Sequence, residues 1–297
     1  MTEGADQSHK SVVQKFLEKN KVKSGWQKLI LESEDLTQEL RENIIDKLDR
    51  SQDAPAENLI FNVFAHAEPG AIKVVIIGTS PAASPSIANG LAFSTDKYES
   101  QFEGTAGKSI RTVHKALRNA QILEKDVNYH CGHREWAEKG VLLLNAALTI
   151  SKGTEDARNI KIHCEKWLKF LQGLLLRWIT GTKIKNKLYV MRWGHKSHFS
   201  PNYAEKLWSE IKDKIEAGGV EIDIHTFPVI DHPTFPKQEN KNNFLAEAPE
   251  HFKTINSHHG KIFDITDCDL EDLVQEMKGL KVQPKETEQQ LGASSHV

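Results

Sequence analysis

Cysteine is scarce in this chain of 297 residues: Cys131, Cys164 and Cys268 stand far apart, with no Cys-x-x-Cys pair. That count excludes a disulfide framework, an all-cysteine zinc site and a four-cysteine iron–sulfur cluster, and it points to a reduced setting, nuclear or cytoplasmic. No apolar run approaches the roughly 18 residues of a membrane span, and the polar N-terminus lacks the apolar core of a secretory signal. A membrane partner is therefore not expected. Surplus positive charge is missing too, since 39 Lys and Arg face 41 Asp and Glu for a formal net charge of −2. No global field draws the chain to a polyanion, so any nucleic-acid contact has to come from local basic patches. His130, Cys131 and His133 invite a metal reading, as does the pair His258-His259, but none has a second pair at zinc spacing. Neither a metal nor another cofactor is expected. Internal repeats are absent, and a monomer is the expected state.

What is present is enough apolar residue, 38% of the chain, for a sizeable core. Residues 1–10 are polar and read as a disordered tail, residues 11–260 as the main domain, 261–280 as a peripheral acidic helix and 281–297 as a second polar tail. Apolar residues recur at helical spacing over 12–31 and again over 36–48, and 60–64 reads as a short helix or strand. Four apolar runs, 74–77, 141–144, 188–191 and 222–227, read as buried parallel strands, with helical stretches at 109–120, 163–180 and 203–216. This alternation predicts an α/β fold, a three-layer αβα sandwich around a four-stranded, mostly parallel sheet. Such folds bind ligands at the carboxyl ends of their strands.

Three segments carry chemistry at those ends. The first runs Val74-Val75-Ile76-Ile77-Gly78-Thr79-Ser80-Pro81-Ala82-Ala83 and returns through Gly90-Leu91-Ala92-Phe93-Ser94: a strand, a sharp turn and a loop bearing an aromatic. The second, from Trp136-Ala137 through Gly140-Val141-Leu142-Leu143-Leu144-Asn145 to Leu148-Thr149, is a strand that ends in an amide. One amide offers both a donor and an acceptor, so Asn145 can read the paired O and N–H on a pyrimidine edge. Read alone, the spacing favours a structural amide that caps the next turn. The third, Val229-Ile230-Asp231-His232-Pro233-Thr234-Phe235-Pro236, sets His232 before a proline turn.

In this order the segments resemble the motifs of the uracil-DNA glycosylases, which read Gly-Gln-Asp-Pro-Tyr-His, then Trp-Ala-x-x-Gly-Val-Leu-Leu-Leu-Asn-x-x-Leu-Thr, then His-Pro-Ser-Pro-Leu. Trp193-Gly194 and His251-Phe252-Lys253-Thr254 match further landmarks, and the resemblance spans roughly residues 25–257. It implies a pocket for a base flipped out of DNA: Thr79 and Ala82 along the wall, Phe93 stacking, Asn145 on the base edge, and His232 donating to the carbonyl as charge builds.

The departures are as specific. Ser80 stands where the family has its water-positioning aspartate. Asp231 is a candidate for a relocated carboxylate, or else a plain turn residue. Ala82 replaces the tyrosine that excludes a 5-methyl group, and Ala83 replaces the histidine. Pro236, with Phe235 before it, falls where the family inserts an apolar wedge into the duplex. Of the DNA-gripping positions, Ser109, Gly194 and Thr234 match or nearly match, while His195 and Lys196 give their loop a basic character. A Ser-His pair of the family falls at Lys161-Ile162 and is absent, with His163 one place along. The resemblance implies a divergent glycosylase of base-excision repair, with DNA binding weaker than is typical and hydrolysis weakened or shifted toward 5-substituted pyrimidines. The alternative is a pseudoenzyme that binds a base, DNA or a protein partner without cutting.

Overall fold

Two helices, α1 (Thr2–Lys19) and α2 (Ser24–Leu31), take up the first apolar stretch. The computed structural model describes residues 2–101, 107–125, 127–153, 156–182, 184, 187–194, 202–219, 222–234 and 243–265, all within the unit Met1–Ile265. The break between α1 and α2 comes from Asn20, whose amide donates to the Phe16 carbonyl (2.9 Å) while its oxygen accepts from Phe61 N–H (2.9 Å). Lys21 then turns left-handed at φ 53°. Backbone helix also runs through residues 2–10, where composition predicts a tail. In place of a regular helix over 36–48 there is α3 (Glu34–Gln38), a π-helical stretch (Glu39–Ile44) and a 3-10 turn (Ile45–Lys47). The changes of pitch bring Leu40, Ile44 and Ile45 into the core together. Residues 60–64 resolve into a 3-10 turn, Asn62–Phe64.

The remaining elements alternate: β1 (Asp53–Ala54), β2 (Val74–Gly78), α4 (Lys108–Asn119), α5 (Arg134–Glu138), β3 (Val141–Asn145), β4 (Ile150–Ser151), α6 (Ala157–Gly181), β5 (Leu188–Arg192), α7 (Tyr203–Ala217), β6 (Ile224–Thr226) and α8 (Phe244–His259). β1 and β4 form a small antiparallel pair. The other four strands form one parallel sheet in the order β3-β2-β5-β6. Every residue of β2, β3 and β5 is buried, as expected of strands covered on both faces. β6 is shorter than the predicted 222–227, although Phe227 N–H still donates to the Val190 carbonyl (3.0 Å). α6 begins earlier than predicted because Asp156 caps it, its carboxylate accepting from Asn159 N–H at 2.7 Å.

α6 packs on α7, and α4 on α8. Right-handed crossovers put these pairs on opposite faces, which completes the three-layer αβα sandwich. From β2 the chain steps to β3 on one side, then crosses back to β5 on the other. The winding reverses between β2 and β5, and the carboxyl ends there form the crevice such sheets use for ligands. No helix among the described residues is long and apolar enough to cross a membrane. Of the predicted peripheral helix, residues 261–265 are described and form a bend and turn followed by irregular chain, not a helix. Its remainder and the tail from 281 lie outside the described residues.

Candidate functional site

β2 ends at Gly78, in register with Asn145 at the end of β3. The ring of Phe93 closes over the same point. A Cβ built on Gly78 would lie 2.7 Å from Asn145 Oδ1 and 2.9 Å from Phe93 Cε2, so only glycine lets the amide and the ring approach the strand together. Just past β5, Trp193 N–H donates to the Ile77 carbonyl (3.0 Å) and Gly194 N–H to that of Ile230 (3.0 Å). The buried Trp193 ring lies 4.8 Å from that of Phe93, and the His232 ring lies 5.7 Å from it at a tilt of 46°. Phe93, Asn145 and His232, far apart in sequence, thus converge at the end of β2.

Phe93 occupies that place at φ 56°, a conformation a bulky residue keeps only where its surroundings impose it, at about 1–3 kcal/mol. The loop supplies the constraint. Ala92 N–H donates to the Leu143 carbonyl (2.9 Å) and Ser94 Oγ to the Gly132 carbonyl (2.6 Å). Asn89 ties the turn internally, donating to Ser94 Oγ (2.9 Å) and Asp96 Oδ1 (3.1 Å) while accepting from Leu91 N–H (3.1 Å). Gly90 turns at φ 84°, and a Cβ there would meet the Leu59 carbonyl oxygen at 2.0 Å. Gly90→Ala is therefore expected to destabilise the protein by about 3 kcal/mol, read by urea unfolding. An unchanged midpoint would show that the loop yields freely.

His232 has a defined tautomer. Thr234 N–H donates to its Nδ1 (3.2 Å), and Thr234 Oγ1 lies 2.8 Å from the same atom. A backbone amide can only donate, so Nδ1 accepts and the ring proton sits on Nε2. Burial pushes the His232 pKa down to about 4, so the donor is a neutral imidazole near pH 7.

The other expected residues divide into three groups. Thr79 is buried at the β2–β5 crevice, with its carbonyl accepting from Ala147 N–H (3.0 Å) and its hydroxyl 3.4 Å from where a Gly194 Cβ would stand. Ser80 and Ala82 are half-buried in the turn that follows, and the Ser80 hydroxyl has no hydrogen bond among the described residues. Ser109 lies on a separate element, in the first turn of α4. His195, Lys196, Phe235 and Pro236 fall outside the described residues.

Two other constellations are structural. Asp231 is buried and locked reciprocally to Asn243: its backbone N–H donates to Asn243 Oδ1 (2.8 Å), and its Oδ2 accepts from Asn243 N–H (3.2 Å). The turn reading of Asp231 is the one this geometry fits. Ser151, His163 and Asp53 bring together the residue types of a catalytic triad in the wrong arrangement. Ser151 Oγ (3.1 Å) and Asp53 Oδ1 (3.9 Å) both address His163 Nε2, while Nδ1 meets the Thr149 hydroxyl (3.0 Å). A triad needs the carboxylate on the opposite nitrogen. Trp193 is the wall residue whose role the sequence did not reveal, although its place directly after an apolar run was the available signal.

Comparison with known proteins follows the same lines. No family model matches the sequence. The chain is 33% identical over 154 residues to a uracil-DNA glycosylase of Buchnera aphidicola subsp. Cinara cedri (49% of this chain, 63% of the relative). To that of Lactococcus lactis subsp. cremoris it is 37% identical over 108 residues (36% and 46%), and to that of Campylobacter fetus subsp. fetus 29% over 194 residues (64% and 76%). The chain thus spans 63% and 46% of the length of the first two, less than two thirds of either. Among solved structures, mimivirus uracil-DNA glycosylase superposes with a TM-score of 0.59 at 21% identity, covering 84% of this chain and 87% of its own. The uracil-DNA glycosylase of Nitratifractor salsuginis superposes with 0.55 at 16% identity, covering 83% and 96%. The chain is thus similar in sequence to uracil-DNA glycosylases over part of their length and shares the fold of their solved structures.

Proposed function

We propose that the strand-end pocket receives a pyrimidine flipped out of DNA and that the chain hydrolyses its N-glycosidic bond slowly, or with preference for a 5-substituted base. The carrying observation is the convergence of Phe93, Asn145 and His232 around Gly78, with Nε2–H of His232 left to donate. In this reading Phe93 stacks on the base and the Asn145 amide pairs with its edge. His232 donates to the carbonyl oxygen as the leaving base gains negative charge, a contribution that is often the largest in such reactions. Ser80 can hydrogen-bond the attacking water but cannot offset the cationic sugar, a loss worth about 10²–10⁴ in rate. Ser109, Gly194 and Thr234, together with His195, Lys196, Phe235 and Pro236, would contact the strand. The chain would be a monomer whose phosphate contacts are fewer than is typical, in keeping with its net charge of −2.

A second reading, a base-binding protein without chemistry, draws support from Asp231. Oδ2 of that carboxylate is held by Asn243 and Oδ1 is buried without a partner among the described residues, and a carboxylate so shut off from water is a poor substitute for the missing aspartate. The test is a single-turnover assay with excess protein on single strands and mismatched duplexes carrying uracil or thymine, scoring abasic sites. Slow abasic product supports the glycosylase. Binding without product supports the second reading, and neither binding nor product sinks both. If Ala82 opens the 5-position, Ala82→Tyr should lower cleavage of thymine relative to uracil by about 10–200-fold.

A further inference from the structure

Behind Phe93 lies a buried chain of ionisable groups that no step above uses. Glu99 Oε1 lies 2.5 Å from His114 Nδ1, and His114 Nε2 lies 2.7 Å from His133 Nε2. Arg118 of α4 holds Glu99 through both guanidinium nitrogens, at 3.2 and 2.7 Å. The His133 ring stacks on Trp136 at 4.0 Å with an interplanar angle of 3°. A carboxylate accepts, so His114 Nδ1 carries the proton facing Glu99, and one proton bridges the two Nε2 atoms. Both histidines are buried, so these few contacts fix both rings.

The chain ends against the stacking loop. Two residues past Phe93, Thr95 N–H donates to the Cys131 carbonyl (3.0 Å), and the next link is the Ser94–Gly132 bond described above. His133 is itself left-handed, at φ 40°. Two non-glycine residues in a strained conformation thus face each other across these stitches, and each persists only because something else imposes it.

We propose that His133 is a positioning residue: gripped by the Glu99–His114 pair and stacked on Trp136, it locks the left-handed turn at Phe93 and so sets the stacking wall of the pocket. Its importance for base binding rests on the function proposed above; its action on the turn does not. The titratable and charged groups facing it are His114, with Glu99 and Arg118 beyond, on the α4 side, and His130, Cys131 and Tyr129 on its own approach segment. Burial, and then His114, hold the His133 pKa well below the ordinary value. A histidine kept neutral in the closed turn but free to protonate in an opened one favours closure above pH 6.5 and loses it as pH falls. From pH 7.5 to 5.5 the opened fraction should rise about tenfold.

The experiment is hydrogen exchange at the Ala92 and Thr95 amides at pH 7.5 and 5.5, corrected for the intrinsic pH dependence of exchange. It is run on wild type, His133→Phe, which keeps the Trp136 stack, and His114→Gln, with binding to a uracil-containing single strand measured alongside. Wild type should lose about tenfold protection on acidification. Both variants should exchange faster at pH 7.5 with a flattened pH response, while amides of β2 and β3 stay protected. Wild-type exchange and pH response in both variants would overturn the proposal, as would loss of protection across β2 and β3 in both. If exchange behaves as expected while no protein binds the uracil strand, the positioning role stands and the base-binding function falls.

Discussion

Ser80→Asp should raise single-turnover cleavage of uracil in single-stranded DNA by about 10²–10⁴. The position lies two residues beyond β2, half-buried, with no hydrogen bond to its hydroxyl among the described residues. A carboxylate there keeps partial access to water, so its desolvation cost is modest. It would hold the attacking water as a stronger acceptor and add what serine lacks, a charge that stabilises the cationic sugar. A new acid limb in the rate profile near pH 4 would mark its ionisation. An unchanged rate in Ser80→Asp, with wild-type cleavage surviving Ser80→Ala, would show that water is placed without this residue.

His232→Ala should lower whatever cleavage wild type shows by about 10²–10³ while leaving the fold intact. Thr234→Val should cost much less, because the Thr234 backbone N–H still donates to Nδ1 and holds the proton on Nε2. The two variants together separate loss of the donor from loss of the turn. With its pKa at about 4, His232 also makes stability depend on pH. The unfolded chain takes up a proton below about 6.5 and the folded protein does not until about 4, so stability is full above that window and falls within it. His232 contributes a fall on the order of 3 kcal/mol, so the fall seen by urea unfolding should be smaller by about that amount in His232→Ala than in wild type. An equal fall in wild type and variant would place the titration elsewhere.

The sheet was legible in the sequence because its strands are covered on both faces, and 74–77, 141–144 and 188–191 read as unbroken apolar runs. The helices before it were less so. Asn20 ends α1 by bonding Phe61, a partner 41 positions away, and no local pattern announces that. Asp156, by contrast, is a cap of the kind that local sequence can announce. At the site, Asn145, Phe93 and His232 could be named from the order of the motifs. Which rings touch could not, because the Phe93–Trp193 contact depends on the reversal between β2 and β5. His133 reads in the sequence only as a metal candidate beside His130 and Cys131, and His114 carries no signal, since 19 positions of sequence hide a 2.7 Å contact.

The Asp231–Asn243 lock has a bearing on tolerances. Asn243 opens α8, so the His232 wall hangs from that helix; the Phe93 wall is backed by His114 of α4; and α8 packs on α4. In the function proposed above, the spacing of two helices on one face of the sheet would therefore help to set the width of the pocket, alongside the strand ends that hold Asn145 and the Phe93 loop. Substitutions that thicken or thin the α4–α8 seam would act as a micrometer screw on the gap between ring and imidazole, without touching either.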